Sequence, residues 1–255
     1  MSIEWTLDGK VAIVTGAARG GIGEAYAHTL ADAGASVVCA DIDRERANQV
    51  SEAIVGQGGS ALAVQVDIAD EASAASMVEE TTRALGGVDI LVNNAALMAE
   101  IVATPAMEYT REDWDRAFAV NVAGAWQCCK AVAPSMQARG GGRIVNQSSA
   151  GAFPAETVYG ITKLALVGLT TTMARELGPL GITVNCIAPG IVASDAGKSL
   201  TPTGSEFRDQ VDARVAMRSI GQPEELCGAL MLFVASPGEW ITGQVLNVDG
   251  GFVMR

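Results

Sequence analysis

The chain has 255 residues, 49% hydrophobic and 18% charged, so its length and composition suit one α/β domain with a sizeable buried core. Lys and Arg number 17 against 29 Asp and Glu, and 17 − 29 = −12; this argues against nucleic acid as a partner, because phosphate-backbone binders present a basic face. It does not exclude a small bound anion, which backbone N–H groups hold without net positive charge.

The first residues, MSIEWTLDGK, contain no basic segment followed by an apolar core. No uninterrupted apolar run approaches the roughly 18 residues of a membrane span. The expectation is a soluble cytoplasmic protein with no membrane partner. From VAIVTG onward, apolar runs alternate with helical patterns. The predicted strands are VAIVTG, SVVCAD, ALAVQVD, VDILVNN, GRIVNQSS, ITVNCIAPG and GQVLNVDGG. Helical patterns cover 21–34, 43–56, 70–85, 110–138, 155–178 and 223–235. Most of the strands are continuous runs of Val, Ile and Leu without alternation, the mark of strands covered on both faces. Such βαβ alternation without a linker predicts a single doubly wound (Rossmann) parallel sheet of about seven strands with helices on both faces. Two stretches break the rhythm. Residues 97–109 form a loop or short helix after the fourth strand, and the more polar 191–220 follows the sixth. Both fall beyond carboxyl ends of strands, where open α/β sheets bind ligands, and the second suits a mobile substrate lid.

The turn after the first strand, TGAARGGIG, carries glycines at irregular spacing. The helix that follows fixes their register: Gly23, Ala27 and Ala31 recur every four positions and allow close approach to the sheet. Gly21 and Gly23 are then the helix-entry glycines, Gly16 opens the turn, and the extra residue lies in AARG, where Gly20 tolerates positive φ. A pyrophosphate would meet the Gly21 and Ile22 amides at the positive end of the helix dipole. Asp41 ends the second strand eighteen residues after Gly23, with Ile42 beside it. A carboxylate there accepts from adenosine ribose hydroxyls and repels the extra phosphate of NADP, so NAD is the preferred cofactor. Arg19 and Arg44 are rival phosphate ligands.

In VYGITKLAL, Tyr159 and Lys163 lie one helical turn apart, and GRIVNQSSAG brings Ser148 and Ser149 to a strand end. A tyrosine of pKa ~10 is a poor base at neutral pH, but a nearby ammonium favours its phenolate. Such a pair with a hydroxyl donor suits proton exchange with an alcohol or carbonyl while a nicotinamide carries the hydride.

With these motifs in one order, joined by VDI at Asp67 and Ile68, NNAA, NV at Asn121, IAPG and VDGG, the chain resembles the short-chain dehydrogenase/reductase family over nearly its whole length. The resemblance implies a tetrad. Tyr159 is the acid/base, Ser149 binds the substrate oxygen, Lys163 lowers the tyrosine pKa and grips the nicotinamide ribose, and Asn121 holds a relay water. It also implies that Asp67 and Ile68 face the adenine, Asn94 and Ala95 the adenosine and ribose, and Pro189, Gly190, Ile191, Val192 and Ser194 the nicotinamide side. A homotetramer is the family's usual assembly. Three departures stand out: the longer glycine turn, Ala96 where the family usually has glycine, and a gap of ten residues from Ser149 to Tyr159, shorter than usual. Ser149 is preferred to Ser148 because it stands three positions after Asn146, as the family's strand end does.

The five cysteines, Cys39, Cys128, Cys129, Cys186 and Cys227, are scattered and read as reduced core residues. No His, Cys and Asp cluster has metal-ligand spacing, so no metal is expected. His28, the only histidine, and Trp114 and Trp126 read as structural or surface residues. Leu97, Met98, Ala150, Phe153 and the 191–220 lid are the expected substrate contacts, which suits an apolar or alicyclic secondary alcohol or ketone. A 3-oxoacyl-thioester reductase using NADPH, and a nucleotide-binding protein without catalysis, are the alternatives.

Overall fold

The computed structural model describes residues 4–254 except Arg19, Ala103, Thr203, Arg218 and Ser219. Seven parallel strands form one sheet in the order β3-β2-β1-β4-β5-β6-β7. They span Val11–Thr15 (β1), Ser36–Asp41 (β2), Ser60–Gln65 (β3), Ile90–Asn93 (β4), Gly142–Gln147 (β5), Ile182–Pro189 (β6) and Val245–Val248 (β7). The chain winds outward from β1 to β3, then crosses back to β4 on the other side of β1. The direction of winding therefore reverses between β1 and β4, and a crevice opens there above the strand ends.

Alternate residues of each strand serve opposite faces, and both faces are covered. Ala12 and Val14 of β1 pack with Tyr26, Ala27 and Leu30 of α1 (Ile22–Asp32), with α2 (Arg44–Gly56) and with Leu230 and Phe233 near the C-terminus. Ile13 packs on the other side with Met77 of α3 (Glu71–Leu85) and with Cys129 and Met173 from later helices. Both of these helix starts follow a capping acid: Asp43 accepts from the Arg46 N–H and Asp70 from the Ala72 N–H. Helix α3 stops at Gly86, which takes the left-handed conformation at φ 86.

Three predicted helices differ in detail. After the short α4 (Ala99–Val102), the pattern over 110–138 resolves into α5 (Arg111–Phe118), a π turn (Ala119–Gly124) and α6 (Ala125–Ala138). The stretch AVNVAG hides the wider turn, which inserts an extra residue into the helix around Asn121. Helix α7 (Val158–Leu177) starts three residues after the predicted 155, because Thr157 is extended and its hydroxyl oxygen accepts from the Gly160 N–H. The last predicted helix opens as a 3₁₀ turn over Pro223–Leu226 before α10 (Cys227–Val234); α8 (Asp195–Leu200) and α9 (Glu206–Arg214) lie between β6 and that turn, in the stretch expected to be a lid. The base of the lid is closed by a parallel bridge between Val192 and Gly221.

Candidate active site

The glycine turn owes its shape to crowding on one side and open space on the other. A Cβ on Gly16, where φ is +67, would lie 2.7 Å from the Ala95 Cα; one on Gly23 would overlap the Gly16 carbonyl oxygen. At Gly21 it would meet only the Ala18 oxygen at 3.6 Å and the Gly23 nitrogen at 3.9 Å. Gly23 is thus a packing glycine, while Gly21 faces the crevice. The extra residue is absorbed at Gly20, with φ +90, whose N–H donates to Glu24 Oε2 at 2.7 Å. Its carbonyl accepts from the Asp195 N–H at 2.9 Å, docking the lid onto the turn. Gly21, the N-cap of α1, makes no side-chain cap bond, which leaves the first amides of the helix for an anion.

The neighbouring strand ends are clipped together by polar side chains. Asn94 Nδ2 donates to the carbonyls of Thr15 at 3.0 Å and Gly16 at 2.9 Å, and its Oδ1 accepts from Gln147 Nε2 at 2.9 Å. The Gln147 Oε1 in turn accepts from the buried Tyr26 hydroxyl at 2.7 Å. Gln147 escaped sequence reasoning, although it shares the face of Ser149 two residues on. Asp41 accepts from the Ala18 N–H and the Asp43 N–H, both at 3.0 Å. A carboxylate offers about four lone-pair sites, so acceptor capacity remains toward the cavity.

On the chemistry side, Lys163 is buried and its Nζ donates to the Gln147 carbonyl at 2.8 Å; it stands 5.5 Å from the centre of the Tyr159 ring. The two serines divide the work. Ser148 donates to the Lys163 carbonyl at 2.7 Å, whereas Ser149 reaches the Tyr159 hydroxyl and holds the Gly151 N–H. The shortened gap before Tyr159 is taken up by a single 3₁₀ turn over Ala150–Ala152. Burial raises the Tyr159 pKa and the Ser149 hydrogen bond offsets only part of it; burial lowers Lys163 to about 8. Burial is the dominant influence on the Tyr159 hydroxyl, and the phenol is neutral at neutral pH. Burial also pushes the Cys39, Cys128 and Cys129 thiols up to about 12, which disqualifies them as nucleophiles.

Both amide donors of Asn121 and one lone pair of its oxygen are engaged. Its amide donates to the Leu97 carbonyl at 2.9 Å and Thr162 Oγ1 at 3.1 Å, and its Oδ1 accepts from the Leu97 N–H at 2.8 Å. Its side chain fixes the loop after β4 against α7 and does not line the cavity.

These parts surround one cavity of about 830 Å³. Its lining includes Gly16, Gly21, Ile22, Asp41, Asn94 and Ala95 on one side and Ser149, Tyr159, Lys163, Pro189, Gly190, Ile191, Val192 and Ser194 on the other. The Ala96 methyl is part of the wall. Ile42, Asp67 and Ile68 lie outside the lining: the wall ends at Asp41 and Arg46, and Asp67 instead accepts from the Ala69 N–H. Arg19 lies outside the described residues. Of the expected substrate contacts, Met98 and Ala150 line the cavity while Leu97 and Phe153 do not; Val102, Pro154, Leu200 and Phe252 are added, with the charged Arg46, Glu156, Asp195 and Arg214. Among the described residues no three His, Cys, Asp or Glu side chains form a group that could hold a metal ion, and no helix is long and apolar enough to cross a membrane.

Residues 16–253 match the family model described as enoyl-(acyl carrier protein) reductase. An uncharacterized oxidoreductase of Mycobacterium tuberculosis is 43% identical over 252 residues, covering 97% of this chain and 99% of its own. A crystal structure of a gluconate 5-dehydrogenase from Burkholderia cenocepacia, in complex with NADP and tartrate, superposes with a TM-score of 0.91 at 32% identity, covering 98% of this chain and 97% of its own. A 7α-hydroxysteroid dehydrogenase complexed with NADH and 7-oxo glycochenodeoxycholic acid superposes at 0.90 with 37% identity, covering 99% and 97%.

Proposed function

The chain belongs to the short-chain dehydrogenase/reductase family, and on that premise we propose that it is an NAD-dependent oxidoreductase acting on a secondary alcohol or ketone. The observation that carries the reading is the shared cavity: the uncapped α1 terminus and Asp41 border the same space as Ser149, Tyr159 and Lys163. The residues fit a nicotinamide dinucleotide, because glycines stand where side chains would block the turn and free amides stand at the helix end. When bound, that cofactor supplies the hydride donor or acceptor. Asp41 favours NAD by accepting from ribose hydroxyls and repelling a 2′-phosphate; the similar structures hold NADP and NADH, so both cofactors belong in the test.

The chain's own residues handle the proton. Ser149 donates to the substrate oxygen and orients it. Tyr159 as phenol delivers a proton to a carbonyl oxygen in reduction and, as phenolate, takes the hydroxyl proton in oxidation. Lys163, anchored on the Gln147 carbonyl, places a positive charge behind the phenol ring. Met98, Val102, Ala150, Leu200 and Phe252 provide an apolar bed for the substrate body. In this reading the protein works in the cytoplasm as one domain and a homotetramer, without metal. A screen of secondary alcohols and ketones with NAD(H) and NADP(H), followed by the absorbance of the reduced nicotinamide, tests it. Turnover with NAD preferred is expected; strong NADP preference would point to the acyl-thioester alternative, and no turnover to a binding protein.

A further inference from the structure

The charges in the cavity can be tallied against their partners. Among the described residues six charged side chains line it: Asp41, Arg46, Glu156, Lys163, Asp195 and Arg214. Asp41 holds two backbone N–H groups, Arg46 lies 3.7 Å from Asp195, and Lys163 donates to the Gln147 carbonyl. Arg214 makes no hydrogen bond or ion pair with a described residue. Its guanidinium instead lies over the Phe252 ring, 4.9 Å from the centroid. A guanidinium laid on an aromatic face is oriented without spending its N–H donors, which stay available to a planar oxyanion.

The two residues arrive from different segments that are fastened together. Arg214 ends α9 in the lid, and Phe252 belongs to the tail after β7; just beyond Arg214 the Met217 N–H donates to the Gly250 carbonyl at 3.0 Å. Neither Arg214 nor Phe252 belongs to the glycine turn or to β2, which supply the α1 amides and Asp41 of the cofactor half. We propose that Arg214 on Phe252 is a carboxylate-recognition site, and that the substrate is a ketone or secondary alcohol bearing a carboxylate remote from the reacting carbon. This rests on the oxidoreductase reading above. Glu156 is also at the cavity wall, and no ion pair joins it to Arg214.

The test compares acid and ester on one carbon skeleton. Levulinate and para-oxocyclohexanecarboxylate are each set against their methyl esters, with wild type, Arg214→Gln and Arg214→Lys. In wild type the acid is expected to exceed its ester in kcat/KM by about tenfold or more, through KM, as a charge-assisted hydrogen bond implies. That ratio falls toward one in Arg214→Gln and recovers partly in Arg214→Lys. Ratios near one in wild type for both pairs, or a ratio that survives Arg214→Gln, overturn the proposal, as does weakened NAD binding in Arg214→Gln, which would move the site to the cofactor. Melting temperatures with each acid and ester provide a second arm. A rise with acid alone in NAD-saturated wild type, absent in Arg214→Gln, supports the site even without turnover; no such rise with either pair overturns it. Failure to turn over any ketone with either cofactor counts against the oxidoreductase reading, not against this site.

Discussion

Alanine at Gly21 and alanine at Gly23 should injure the protein in opposite ways. At Gly23 the new methyl would overlap the Gly16 carbonyl oxygen and press on Asn94 Nδ2 at 2.7 Å. The carbonyl belongs to the turn and cannot rotate away, so α1 must move off the sheet. Overpacking of this kind costs about 1–3 kcal/mol, and weakening the two Asn94 bonds to Thr15 and Gly16 adds about 1 kcal/mol each. The gain in helix propensity returns at most about 1 kcal/mol. A net loss of about 2–4 kcal/mol corresponds to a fall in Tm of roughly 5–15 °C for a chain of this size. At Gly21 the nearest atoms, at 3.6 and 3.9 Å, leave room, and φ −114 with ψ 175 suits alanine. Stability there should change by less than about 0.5 kcal/mol. The methyl would project toward the space assigned to the pyrophosphate, so NAD affinity should fall at least about tenfold, the effect of about 1.4 kcal/mol. Thermal unfolding and NAD titration by calorimetry on both variants decide the matter. A stable Gly23→Ala, or a Gly21→Ala that binds NAD as wild type does, would refute this reading of the turn.

Ser149→Ala should lower kcat by two orders of magnitude or more, as loss of an oxyanion donor does, while Ser148→Ala chiefly loosens the Lys163 backbone; a larger kinetic effect at Ser148 would reverse the choice of serine. Asp41→Asn should reduce NAD preference over NADP by about ten- to a hundredfold, read from the ratio of kcat/KM values, and an unchanged ratio would remove Asp41 from cofactor selection. Lys163 titrates at about 8 in the fold against 10.5 as a free group, so the unfolded chain binds its proton more tightly and stability from this group rises with pH between those values. The stability difference between wild type and Lys163→Met should therefore climb over that window in denaturant titrations, and a flat or falling difference contradicts the assigned burial.

The continuous apolar strands and the 3.6-residue patterns made the sheet and most helices legible, because both signals are local. The register of the glycine turn was legible too, since the spacing of Gly23, Ala27 and Ala31 reports the close approach of α1 to the sheet. The π turn was not: AVNVAG continues the helical pattern on either side, and a one-residue widening leaves no periodic trace. Gln147 and Arg214 were missed for another reason. Each acts through a partner distant in sequence, Tyr26 and Asn94 for the first and Phe252 for the second. The raised Tyr159 pKa depends on how deeply the fold desolvates the phenol, a quantity that the four-residue spacing to Lys163 does not carry.

The central claim is that Tyr159 moves the proton while the rest of the cavity binds the cofactor. Tyr159→Phe isolates it, since the ring and its contact with Lys163 are kept and only the hydroxyl is lost. With a secondary alcohol or ketone that wild type turns over, reduced-nicotinamide absorbance and NAD titration are measured on both proteins. Turnover lost by at least about a hundredfold, with NAD affinity unchanged, is the predicted result, and turnover near the wild-type rate in Tyr159→Phe would contradict the mechanism.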